Sequence, residues 1–215
     1  EPAAEGIATG ASSRESPAKD GGEFWRSVSE GPLLRALTHG DRIHEIMQRV
    51  FGEAARGFDL MYLRPAPVDR STRLHYDHPF FAGSADRIVT AWIPLGDVPV
   101  GDGPLVIVEG SNRFDDLLDP IRHVDYGHDR SEQVVQQAAY SKQNETDPVT
   151  LAIERDTRLL TTDFAAGDLV IFNMFTMHGS LDNRSATGRV RLSCDVRFQA
   201  AAEPADADRY LGPHP

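Results

Sequence analysis

The chain has 215 residues, of which 40% are hydrophobic and 26% charged, enough apolar material for one domain with a sizeable core. Its formal net charge of −11 argues against nonspecific binding to nucleic acid or to an anionic membrane surface, because phosphate contacts need clustered cations. Cys194 is the single cysteine, so no intramolecular disulfide forms and the fold does not depend on an oxidising compartment.

Residues 1–22 are rich in Ala, Gly, Ser, Pro and Glu and carry no hydrophobic period. They read as a flexible arm ahead of a single domain over 23–215. Pro32 to Leu37 reads as a short helix. Asp41 is expected to cap a second, with Ile43, Ile46, Met47 and Val50 at helical spacing and Gly52 as its stop. Phe58 to Arg64 reads as a strand ended by Pro65 and Pro67, with Tyr62 and Arg64 on one face. Phe80 to Ala85 reads as a loop. Strands follow at Arg87 to Leu95, Pro104 to Val108 and Leu169 to Phe172, separated by Gly/Pro turns. Between them, residues 114–160 break the short-strand rhythm: they are polar and acidic, with a helix expected across Ser131 to Lys142, and they read as a lid-like insertion. The last strand, Arg189 to Phe198, alternates strictly. Arg189, Arg191, Ser193 and Asp195 share one face, and Val190, Leu192, Cys194 and Val196 the other. Many short strands behind a helical N-terminus indicate an antiparallel barrel or jelly roll with helices on one side.

One stretch carries chemistry. His75 and Asp77 are two residues apart, so in an extended strand an imidazole and a carboxylate point to the same side. His178, in Thr176-Met177-His178-Gly179-Ser180, is the candidate third ligand. Two histidines and one carboxylate on one face, with opposite positions open, suit non-haem Fe(II). His39 and His44 read as solvent-facing or capping histidines, and His123 and His128, widely spaced and without a companion carboxylate pattern, read as non-ligands. His78 faces away from Asp77 and reads as structural support.

The order of short motifs resembles one family. His75-x-Asp77, the strand Thr90 to Leu95, Gly103-Pro104-Leu105 leading to Gly110-Ser111-Asn112-Arg113, Gly167-Asp168-Leu169-Val170, His178-Gly179-Ser180 and Arg189 are similar to those of the phytanoyl-CoA dioxygenase family of Fe(II)/2-oxoglutarate oxygenases. The resemblance implies a mainly β fold, a double-stranded β-helix (jelly roll, cupin-like) with flanking N-terminal helices. It implies Fe(II) on His75, Asp77 and His178, with 2-oxoglutarate as cosubstrate and O2 as oxidant. By the same resemblance Arg189, eleven residues past His178, clamps the distal carboxylate of 2-oxoglutarate, helped by Ser180, and Trp92 packs beside the cosubstrate. The planar donor fork of an arginine suits a carboxylate.

The reaction so implied is hydroxylation of an unactivated C–H bond of a small organic substrate, with release of succinate and CO2. Related halogenases replace the triad carboxylate with a small residue, so Asp77 favours hydroxylation, desaturation or ring chemistry over halogenation. Tyr62, Arg64 and Phe80 are the candidate substrate contacts. No residues that would grip a CoA thioester can be mapped, so the family name does not carry over as a substrate. A metal-dependent cupin-like enzyme that does not use 2-oxoglutarate, or a non-enzymatic binding module on the same barrel, remains open. The expected partner is a small-molecule substrate, without nucleic acid or membrane, for a monomer or weak homodimer. With no long apolar run and no signal-like segment, the expected location is cytoplasmic.

Overall fold

The computed structural model describes residues 28, 31–81, 87–125, 129, 131–134 and 147–204. The expected N-terminal arm, residues 82–86, His128 and most of the helix expected across 131–142 lie outside them. Helices α1 (Pro32–His39) and α2 (Asp41–Phe51) open the described part. Gly40, not Asp41, is the N-cap of α2, and Asp41 sits in its first turn, where a carboxylate faces the positive end of the helix dipole. Gly52 closes α2 in the left-handed conformation, at φ 72°, as expected of a glycine stop.

Two antiparallel sheets follow. The first has the order β1-β7-β2-β5, from strands β1 (Ala55–Ala66), β2 (Ile88–Pro94), β5 (Val170–Asn173) and β7 (Arg191–Ala200). The second has the order β4-β3-β6, from β3 (Leu105–Val108), β4 (Leu159–Leu160) and β6 (His178–Ser180). β1 runs through Pro65, which pairs with Leu192. As a sheet edge, β1 is bonded on one side only, so a missing N–H is tolerated there. Beyond β6, His75 adds one antiparallel bridge to His178. Phe80 and Phe81, expected in a loop, belong to a single helical turn, α3 (His78–Phe81).

The alternation of β7 divides two environments. Cys194, Val196 and Phe198 join Ile43 and Met47 of α2 in one apolar cluster, and Cys194 is fully buried in it. The opposite face, Arg191, Ser193, Asp195 and Arg197, is also buried. It points between the sheets, beside an apolar cluster of Trp92, Leu105 and Phe172. No helix among the described residues is long and apolar enough to cross a membrane.

The flanks of the insertion differ from a lid. Leu117, Leu118, Ile121, Val124 and Leu151 are buried against Val106, Val108, Met177, Leu74 and Tyr76. They belong to α4 (Asp115–Leu118), the 3₁₀ turn after it and α5 (Pro148–Glu154), apart from Val124 just beyond that turn. The outer face of the second sheet is apolar and must be covered. These flanks cover it, so they are core elements.

A candidate metal centre

The bridge at His75 sets the site. His75 N–H donates to the His178 carbonyl (2.9 Å) and His178 N–H to the His75 carbonyl (3.0 Å). Residues that exchange both bonds face each other across an antiparallel pair, with side chains on the same side. The two imidazoles accordingly lie with ring centroids 4.3 Å apart. The stretch leading to His75 needs close approach here: a Cβ on Gly179 would stand 2.6 Å from the Thr72 carbonyl oxygen.

Each imidazole is oriented by its backbone. Nδ1 of His75 donates to the Arg73 carbonyl at 2.8 Å and Nδ1 of His178 to the Thr176 carbonyl at 2.9 Å. That fixes the tautomer and leaves both Nε2 lone pairs for a metal. Asp77 Oδ1 lies 3.6 Å from His75 Nε2 and 4.0 Å from His178 Nε2. The other carboxylate oxygen, Oδ2, accepts from Thr90 Oγ1 at 2.7 Å and from Arg197 Nη2 at 2.8 Å. One oxygen is thus anchored and the other faces the histidines. The three ligand atoms lie within 4.8 Å of one another, and the donor set fits a non-haem iron of the facial-triad type.

The protonation states agree. Burial, with His178 beside it, pushes His75 down to about 3, and burial also lowers His178. Burial opposes ionisation of Asp77, but Arg197 and then the two imidazoles hold its carboxyl well below the usual carboxylate range. At neutral pH the triad is two neutral imidazoles and a carboxylate, the forms that bind metal. Between the ordinary histidine value of 6.5 and about 3, the unfolded chain therefore holds more protons than the folded one, and stability falls as pH falls. The depressed Asp77 adds a loss of the same sign below its ordinary 3.8. Metal-free protein should show a melting temperature that declines from neutral pH to about pH 4.5, and His75→Gln should flatten the decline. A melting temperature that rises over that range would contradict the assignment.

A cavity of about 440 Å³ opens on His75 and Asp77 and is lined by Tyr62, Arg64, Phe80, Phe81 and Arg197, among others. It brings together all three residues expected to meet substrate: Tyr62, Arg64 and Phe80. Arg64 donates through Nε to Asp195 Oδ2. His78 turns away from the triad, as expected. Its Nε2 bonds the Arg122 carbonyl at 2.7 Å and its ring stacks on Phe175. His39 and His44 likewise serve the scaffold, on the carbonyls of Phe58 and Gly40.

Ser180 and Trp92, the other residues that the resemblance assigns to the cosubstrate, lie inside the fold. Ser180 Oγ accepts from Thr72 N–H at 2.7 Å. Arg189 does not join them. It precedes β7, is 41% exposed in its side chain, and its Nε pairs with Asp102 Oδ2 at 3.0 Å. Arg191 takes the inward place instead. It is 3% exposed, with Nε on the Gly103 carbonyl at 3.1 Å and Nη1 on Ser193 Oγ at 2.6 Å. Burial lowers its guanidinium to about 10, against the pull of Asp195, which leaves it charged at neutral pH. Arg189 and Arg191 share strand parity, so alternation does not separate them. The start of β7 at Arg191 does, and it sets the Ser193 hydroxyl beside the guanidinium on the buried face. Arg197 carried a weaker signal, as a further charge at the same period of two.

These elements define a double-stranded β-helix in which two histidines and one carboxylate gather where a metal ion could be held. The profile of the family described as Phytanoyl-CoA dioxygenase (PhyH) matches residues 17–191, and the chain belongs to that family. It is 28% identical over 172 residues to a 1-deoxypentalenic acid 11-beta-hydroxylase of Streptomyces arenae, covering 74% of this chain and 54% of that protein. The chain thus spans about half the length of the curated relatives it matches. The carbocyclase SnoK of nogalamycin biosynthesis, described as a non-heme alpha ketoglutarate dependent enzyme, has the same fold. It aligns at TM-score 0.58 and 23% identity over 86% of this chain and 68% of its own. The epimerase SnoN in complex with Fe3+, alpha ketoglutarate and nogalamycin RO aligns at TM-score 0.53 and 26% identity, over 80% and 60%.

Proposed function

We propose that this protein is a non-haem Fe(II)- and 2-oxoglutarate-dependent dioxygenase that hydroxylates an unactivated C–H bond of a small organic substrate. The observation that carries the reading is the triad itself: two Nε2 atoms and one carboxylate oxygen converge, while every other polar atom of those side chains is already committed to the scaffold. Membership of the family supports it, as does the similar SnoN, which holds Fe3+ and alpha ketoglutarate. Iron held by the triad would supply the oxidising chemistry with O2 as the oxidant, 2-oxoglutarate giving up two electrons as it becomes succinate and CO2.

The protein's part is to hold and orient. His75, Asp77 and His178 hold the metal. Thr90 and Arg197 fix Asp77 so that one oxygen alone is presented. Arg191, with Ser193 beside it and Ser180 on the second sheet, is the cation for the distal carboxylate of the cosubstrate, in place of Arg189. Trp92, Leu105 and Phe172 supply a dry wall, which strengthens that ion pair. The substrate enters through the cavity on the His75–Asp77 side, so cosubstrate and substrate approach the metal from different directions.

Anaerobic titration of the protein with Fe(II) and 2-oxoglutarate tests the reading. A weak visible charge-transfer band should grow to one equivalent of each and should not form with either alone. Iron binding without the band would point to a metal-dependent barrel enzyme that does not use 2-oxoglutarate.

A further inference from the structure

Resting on that reading of the metal centre, the cavity beside it has a ligand chemistry of its own. Arg197 is 1% exposed, yet it lines the cavity. Its Nη2 is committed to Asp77. Its Nε and Nη1 find no hydrogen-bond acceptor among the described residues, and the Asp195 Oδ2 nearest to Nη1 is 4.0 Å away. The rings of Phe81 and Tyr62 stand 4.4 and 5.0 Å from the guanidinium carbon. Ring faces attract a cation, but they do not replace an oxygen acceptor. A buried N–H without an acceptor costs about 1–3 kcal/mol, so this guanidinium gains by taking an oxygen from the cavity side.

The charges point the same way. Arg64, Arg191 and Arg197 face Asp77 and Asp195 in this interior. A divalent metal and a dianionic cosubstrate would cancel each other, which leaves one positive charge in this interior, where Arg64 and Arg197, but not Arg191, line the cavity. Arg73, exposed at the rim, has the same sign. The rest of the wall is largely aromatic: Tyr62, Phe80 and Phe81.

We propose that the cavity takes a substrate made of an apolar body bearing one carboxylate. The carboxylate sits on Arg197 and Arg64, and the hydrocarbon lies against the three rings. Held this way, the carboxylate is kept off the metal and the C–H bonds of the body face His75 and Asp77. The other source of such an anion is the cosubstrate's own carboxylate, and the experiment separates the two.

Protein loaded anaerobically with Fe(II) and 2-oxoglutarate is titrated by calorimetry with cyclohexanecarboxylate, decanoate and the methyl ester of each. The acids should bind roughly tenfold tighter than their esters or better. Arg64→Gln should bring the pair close to parity while the charge-transfer band and the affinity for 2-oxoglutarate persist, and Arg64→Lys should restore part of the preference. Esters that bind as tightly as acids, or a parent that binds neither, overturn the proposal. So does an Arg64→Gln variant that keeps the acid preference but loses 2-oxoglutarate, since the cavity cations then serve the cosubstrate. If the parent forms no charge-transfer band, the dioxygenase reading is what fails. The arginine and aspartate charges are unchanged without the metal, so the acid-over-ester ratio of the metal-free protein then decides the proposal by itself.

Discussion

Asp77→Ala should abolish useful iron binding and unsettle the fold together. The substitution removes the one carboxylate whose Oδ1 faces both histidines. Outer partners of metal ligands cost 10–100-fold in affinity when removed, so loss of a ligand itself should cost on the order of a hundredfold or more. It also leaves Arg197, at 1% exposure, without its hydrogen-bonded carboxylate. Breaking one side of a buried pair costs about 3–5 kcal/mol, here toward the low end because Asp195 stands 4.0 Å from Nη1. The two losses separate in the double variant Asp77→Ala, Arg197→Met, which should recover much of the thermal stability and none of the iron affinity. An iron titration and a melting curve on the two variants check this. A double variant that regained iron would mean that Asp77 is not a ligand.

The second large effect concerns the cosubstrate. Arg191→Lys keeps a charge but loses the planar fork on the Gly103 carbonyl and Ser193. The apparent affinity for 2-oxoglutarate should fall by a factor on the order of ten or more, equivalent to about 1.4 kcal/mol or more. Arg189→Lys alters a half-exposed pair with Asp102, and such pairs contribute about 0–1 kcal/mol, so its effect should stay within a few-fold. Titration of the charge-transfer band with 2-oxoglutarate reads both. A loss at Arg189 larger than at Arg191 would restore the assignment implied by the family resemblance.

That contrast marks where the sequence was legible and where it was not. His75, Asp77 and His178 were readable because period-two alternation and one short motif suffice to place them, and the sheet then brings them together. The arginine was not, because a shift of two residues keeps strand parity, and only the start of pairing at Arg191 distinguishes the candidates. The flanks of the insertion were misread for a different reason. Leu117, Leu118, Ile121 and Val124 lie among acidic residues, and the apolar surface they cover comes from distant strands. No local pattern announces such a partner. Arg197 was missed because a charged residue near the end of a strand has the look of a solvated one until the Tyr62 and Phe81 rings are seen to enclose it.

The reciprocal amide bonds between His75 and His178 have an evolutionary consequence. Because the ladder sets the spacing of the two imidazoles, that spacing does not depend on the aromatic side chains of the cavity wall. Tyr62, Phe80 and Phe81 can therefore drift, enlarge or shrink while the two histidines keep their spacing. A lineage built this way can try new molecules one wall residue at a time without first losing its chemistry.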